Sequence, residues 1–95
     1  MHMKEAYQKK LQAQLDELGA EIDKLKAKAD QAEADLQLEY YKQIEELRSM
    51  QETANSKLAE LKYASDDAWD DLKVHMDSVW NSLNNALKSA RARFK

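Results

Sequence analysis

The sequence predicts an all-α protein built as a long, nearly continuous amphipathic helix that pairs with copies of itself in a coiled-coil oligomer. Three observations carry this expectation. Of the 95 residues, 35% are charged and 7% aromatic, with a single glycine and no proline. Ala, Leu, Glu, Lys and Gln are abundant, and these are strong helix formers. Apolar residues recur at helical spacing from end to end, and one isolated helix would leave that stripe in water.

Met1 and His2 read as a cloning remnant ahead of a native start at Met3, so residues 1–3 are set apart. Residues 4–36 form a heptad segment. Leu11, Leu15, Leu18, Ile22, Leu25, Ala29, Ala32 and Leu36 alternate steps of four and three, the seam of a left-handed coiled coil. A parallel in-register dimer would set Glu21 against Lys26 of the other copy and Lys28 against Glu33, which favours parallel pairing without deciding it. Gly19 weakens this helix without ending it.

Residues 37–46 form a stutter. Leu36, Tyr40, Ile44 and Leu47 step by four, four and three, which locally unwinds the supercoil. From residue 47 to 95 the rhythm becomes an eleven-residue repeat in an amphipathic helix with a basic end. Leu47, Leu58, Trp69 and Trp80 make one column, and Met50, Leu61, Leu72, Leu83 and Phe94 a second. Ala54, Ser65, Met76 and Leu87 make a third. Eleven residues in three turns is about 3.67 per turn, close to the natural helix.

Two soft spots interrupt the pattern. Ser65 before Asp66 and Asp67 reads as an N-cap with acids in the first turn. Thr53, Asn55 and Ser56 mark the midpoint, where the chain could fold into a two-helix antiparallel hairpin that dimerises into a four-helix bundle. Neither place has a glycine or proline to make a turn. The continuous helix over residues 4–93, some 130 Å long at 1.5 Å per residue, is preferred to the hairpin. The expected oligomer interface is Leu11, Leu15, Leu18, Ile22, Leu25, Leu36, Ile44, Leu47, Met50, Leu58, Leu61, Trp69, Leu72, Met76, Trp80, Leu83 and Leu87. A compact, stably ordered monomer would instead require a self-contained bundle of three short rods.

Ala68-Trp69-Asp70-Asp71-Leu72-Lys73, then Val79-Trp80, Leu83, Ala86, Ala90 and Arg93-Phe94, resembles the C-terminal signature of small bacterial coiled-coil proteins. These are described as coiled-coil domain-containing or stress-associated, with apolipoprotein-like helical repeats. The opening run from Tyr7 to Glu17 is similar too, so the likeness covers most of the chain. It implies a bacterial helical protein, cytoplasmic or loosely membrane-associated, without an agreed activity. His75 departs from the small residue that this resemblance implies.

The chemistry-bearing residues are few. With no cysteine, disulfides, zinc–thiolate sites and thiol nucleophiles are excluded. Asp67, Asp71 and His75 follow at i, i+4, i+8 and could offer a zinc or copper ion three ligands; a solvated acidic face is the preferred reading. Met50 and Met76 lie in the apolar columns and read as core fillers. No glycine loop cradles phosphate, and no nucleophile is paired with a base. The expectation is a protein that is not an enzyme and takes no cofactor.

A net charge of −3 argues for no charged partner, but from Ser78 onward the only ionisable side chains are Lys88, Arg91, Arg93 and Lys95. Trp80, Leu87, Lys88, Arg91, Arg93 and Phe94 are therefore the candidate contacts to an anionic membrane surface. The end of the oligomer seam, with cations complementing the helix dipole, is the preferred reading. Four cations at one end do not make a nucleic-acid stripe. The expected partners are other copies of the chain, then another helical protein or an anionic membrane, with no nucleic acid. The expected role is a non-enzymatic cytoplasmic scaffold or interaction protein, and the alternative is an apolipoprotein-like lipid binder.

Overall fold

The computed structural model describes residues 2–94; Met1 and Lys95 lie outside the described residues. The protein is all-α. Its helices are α1 (His2–Asp30), α2 (Ala34–Lys62) and α3 (Asp66–Arg93), folded up, down and up. Lys4 Nζ donates to the Ala64 carbonyl at one end, and the Tyr41 hydroxyl donates to the Asp30 carboxylate at the other. These contacts make α1 and α2 antiparallel. The Tyr40–Phe94 ring stack makes α2 and α3 antiparallel, and the Glu21–Arg91 ion pair runs α3 alongside α1.

The bundle measures 50 × 18 × 18 Å with a radius of gyration of 15.3 Å. This corrects the expectation of a continuous helix, which would extend for about 130 Å. It also corrects the two-helix alternative. Helix α2 runs unbroken through residues 53–56: Ala54 is fully buried, and the Thr53 hydroxyl turns back to the Ser49 carbonyl at 3.1 Å. The physical reason is that a chain folded twice covers its own stripe. Burying a large apolar side chain contributes about 1.5–3 kcal/mol, and the interruption consists of only two three-residue turns.

The first turn, residues 31–33, follows a tightened helix end in which Gln31 N–H and Ala32 N–H donate to Lys28 and Ala29 carbonyls, each at 3.1 Å. The second, residues 63–65, ends at the Ser65 cap, whose hydroxyl accepts from Ala68 N–H, with Asp66 and Asp67 in the first turn of α3. Anionic side chains there complement the helix N-terminus. The capping signal at Ser65 is thus used as its residue types suggest.

Leu11, Leu15, Leu18, Ile22, Leu25, Ile44, Leu47, Leu58, Leu61, Met76, Leu83 and Leu87 all lie in one intramolecular core, joined by Ala29, Ala54, Ala90 and Phe94; no polar or charged described residue is buried there. Met50, Trp69, Leu72 and Trp80 are partly buried against it. Leu36 is the exception, left 42% exposed beside the first turn. Gly19 faces Gln51 of α2, whose amide nitrogen would lie 3.0 Å from an added Cβ.

Candidate interaction surface

Helix α2 packs closely along both of its neighbours, while α1 and α3 approach each other at few points. The α1–α3 side is instead bridged by long side chains. At the end near the second turn, Tyr7 and Trp69 meet edge to face, with ring centroids 5.9 Å apart and planes at 76°. Lys73 Nζ lies 5.3 Å from the Tyr7 ring centroid and 5.5 Å from that of Trp69, within cation–π range. The Tyr7 hydroxyl donates to Asp77. Desolvation by the surrounding packing holds this phenol well above its ordinary range, with the Asp77 hydrogen bond and charge adding to the effect. The Trp69 indole nitrogen is buried without a hydrogen-bond partner among the described residues.

Further along, Trp80 lies over a groove of about 200 Å³ with Gln14, Glu17, Glu21, Asn84 and Arg91. Arg91 closes it with a 2.5 Å ion pair to Glu21, both side chains substantially exposed. Glu21, which the sequence sets against Lys26 of a second copy, is here paired with Arg91 of its own chain. Exposed pairs of this kind contribute about 0.2–1 kcal/mol, so this ion pair adds little to the closure beyond Leu18 and Leu87, which line the same groove from the core.

The candidate lipid contacts divide into two groups. Leu87 and Phe94 are buried in the core, and Trp80 is half-buried. Lys88, Arg91 and Arg93 are exposed, while Lys95 lies outside the described residues. The cations and the apolar anchors therefore do not form one accessible face while the bundle is closed. Asp67, Asp71 and His75 sit exposed on α3. Among the described residues, no three His, Cys, Asp or Glu side chains are grouped to hold a metal ion.

A second groove, of about 410 Å³, runs between α1 and α2 past Gln12, Asn55, Leu58, Lys62 and Tyr63. Near the first turn, the Asp30–Tyr41 hydrogen bond lowers the carboxyl below its usual range and raises the phenol. No helix among the described residues is long and apolar enough to cross a membrane.

Sequence reasoning passed over Tyr7, Lys73 and Asp77 as a group. Tyr7 stands four residues before Leu11 and so extends the α1 seam, and Lys73 and Asp77 share a face of α3 at i, i+4. What the sequence lacks is the pairing of these two faces, which depends on both turns. Comparison with protein-family models, curated proteins and solved structures gives no match for this chain.

Proposed function

We propose that the protein is a non-enzymatic helical interaction module, a self-associating scaffold or spacer whose first partner is a second copy of itself. On this reading its setting is the bacterial cytoplasm and its role is stress-associated, as the resemblance of Trp69-Asp70-Asp71-Leu72 and Val79-Trp80 implies. The observation that supports it is the unequal closure of the bundle. Two close-packed hairpins share α2, while α1 and α3 approach each other at few points and share the core mainly through side chains, with half-buried aromatics and exposed polar contacts along their edge. Its helices carry complete apolar faces that another amphipathic helix can use whenever this side opens. Sedimentation equilibrium over a wide concentration range, together with melting curves, tests the reading. Association with a concentration-dependent Tm is expected; strict monomer behaviour up to submillimolar concentration would overturn it.

A second reading is lipid binding, favoured by one observation. Between Ser78 and Phe94 there is no acid, and Lys88, Arg91 and Arg93 are exposed beside half-buried Trp80. Opening would add Leu83, Leu87 and Phe94 to that face, giving an amphipathic cationic helix for an anionic surface. Anionic vesicles should then shift tryptophan emission to the blue. An unchanged spectrum would remove this alternative.

A further inference from the structure

The two turns are chemically unlike. Helix α3 begins with a working cap at Ser65 and two acids, which specify a start. The turn at residues 31–33 has no such signal. Its residues are Gln31, Ala32 and Glu33, all compatible with a helix interior. Glu33 occupies the N-cap position of α2 without a side-chain cap hydrogen bond. Its backbone is extended at φ −64° and ψ 151°, so its φ is already helical and rotation about ψ is what it needs to continue the helix. The apolar seam Leu25, Ala29, Ala32, Leu36 also passes through the turn in step.

Three α1–α2 contacts in the half of the bundle nearest this turn share one register. Asp30 meets Tyr41, Asp23 meets Arg48, and Gly19 faces Gln51; the residue numbers in each pair total 70 or 71. Two straightened α1–α2 helices laid antiparallel about a two-fold axis near residue 35 would therefore satisfy both sets of α1–α2 contacts at once. Ala32 and Leu36 would face the other copy at that axis. In the single chain Ala32 is half-buried and Leu36 is 42% exposed, so the exchange has apolar surface left to cover.

We propose that residues 31–33 form a hinge through which two copies exchange α1. In the exchanged dimer, residues 2–62 run as one helix of about 90 Å. Each α1 packs on the partner copy's α2 and α3 through the same contacts it makes in the single chain. The proposal deepens the self-association reading and rests on it.

Ala34→Pro separates the two states. Residue 34 is the first residue of α2, where proline is favoured, and the extended backbone at Glu33 suits the residue before a proline. Inside the joined helix the same ring would clash with the Asp30 carbonyl. Wild type and variant are refolded from denaturant at submillimolar concentration, and mass and shape are then measured by light scattering and sedimentation. Wild type is expected to yield an elongated species of twice 11.0 kDa, and Ala34→Pro a monomer of unchanged helicity.

If Ala34→Pro dimerises as wild type does, the hinge is wrong and another mode of self-association stands. If wild type stays monomeric, both proposals fall. Should the proline variant not fold, the pair Ala32→Gly and Glu33→Gly replaces it. Glycine disfavours the joined helix and should weaken dimerisation about tenfold or more, and an unchanged dissociation constant would overturn the hinge.

Discussion

Tyr40 and Phe94 stack with ring centroids 4.2 Å apart and planes inclined by 29°, tying the start of α2 to the end of α3. The Tyr40 hydroxyl also donates to the Arg93 carbonyl at 3.0 Å, and Phe94 is only 1% exposed. Phe94, which the sequence sets both in an apolar column and among the candidate membrane contacts, is therefore part of the core. Phe94→Ala should cost about 3–5 kcal/mol in urea unfolding. Tyr40→Phe keeps the stack, removes one partly exposed hydrogen bond and should cost about 1 kcal/mol or less. Equal, small effects would mean that the chain end is not packed as described.

Gly19 sits in the middle of α1 with helical geometry and no positive φ. Alanine there gains about 0.5–1 kcal/mol of helix propensity. Among the described residues, the near neighbour of the new methyl group is the end of the flexible Gln51 side chain, at 3.0 Å. Gly19→Ala should therefore raise the melting temperature by a few degrees. A fall would show that the Gln51 amide cannot move aside.

Leu83 is fully buried, whereas Arg91 is exposed and paired with Glu21. Leu83→Ala should destabilise by about 2–5 kcal/mol. Arg91→Ala should cost less than about 1 kcal/mol, and that small cost should fade in high salt. Denaturant titrations at two ionic strengths check both. A salt-independent loss of several kcal/mol at Arg91 would contradict the small part of this ion pair in closing the α1–α3 side.

Two phenols titrate above the usual tyrosine value of 10.0. Tyr7 is raised chiefly by burial, and Tyr41 by its hydrogen bond to Asp30. Folding thus favours the neutral phenols. The stability they contribute is complete below pH 10 and falls as pH rises above it, because the unfolded chain loses those protons first. Stability measured from pH 8 upward should be level and then decline beyond about pH 10. Tyr7→Phe should flatten that decline, and an unchanged alkaline slope would show that Tyr7 is not held neutral by the fold.

The all-α class and most of the core were legible in the sequence because helical periodicity depends only on which face must be dry. Leu11 to Leu25 in α1 and Leu58, Leu61, Met76 and Leu83 in the eleven-residue columns are buried as their spacing implies. The partner for that face was not legible. Periodicity reads the same whether a second copy or a folded-back segment covers the stripe. Residues 31–33 gave no warning of a turn, since Gln, Ala and Glu favour helix and keep the heptad in step. Thr53, Asn55 and Ser56 looked weak, but Ala54 and Leu58 hold that turn of α2 in the core. The bridge of Tyr7, Trp69, Lys73 and Asp77 was hidden for the same reason, because it joins faces that meet only after two reversals of the chain.

The decisive measurement is small-angle scattering with sedimentation at low micromolar concentration. A chain that buries its own stripe should appear as a single 11.0 kDa particle with a radius of gyration close to 15.3 Å. A rod of about 130 Å, with a radius of gyration near 40 Å, would contradict it.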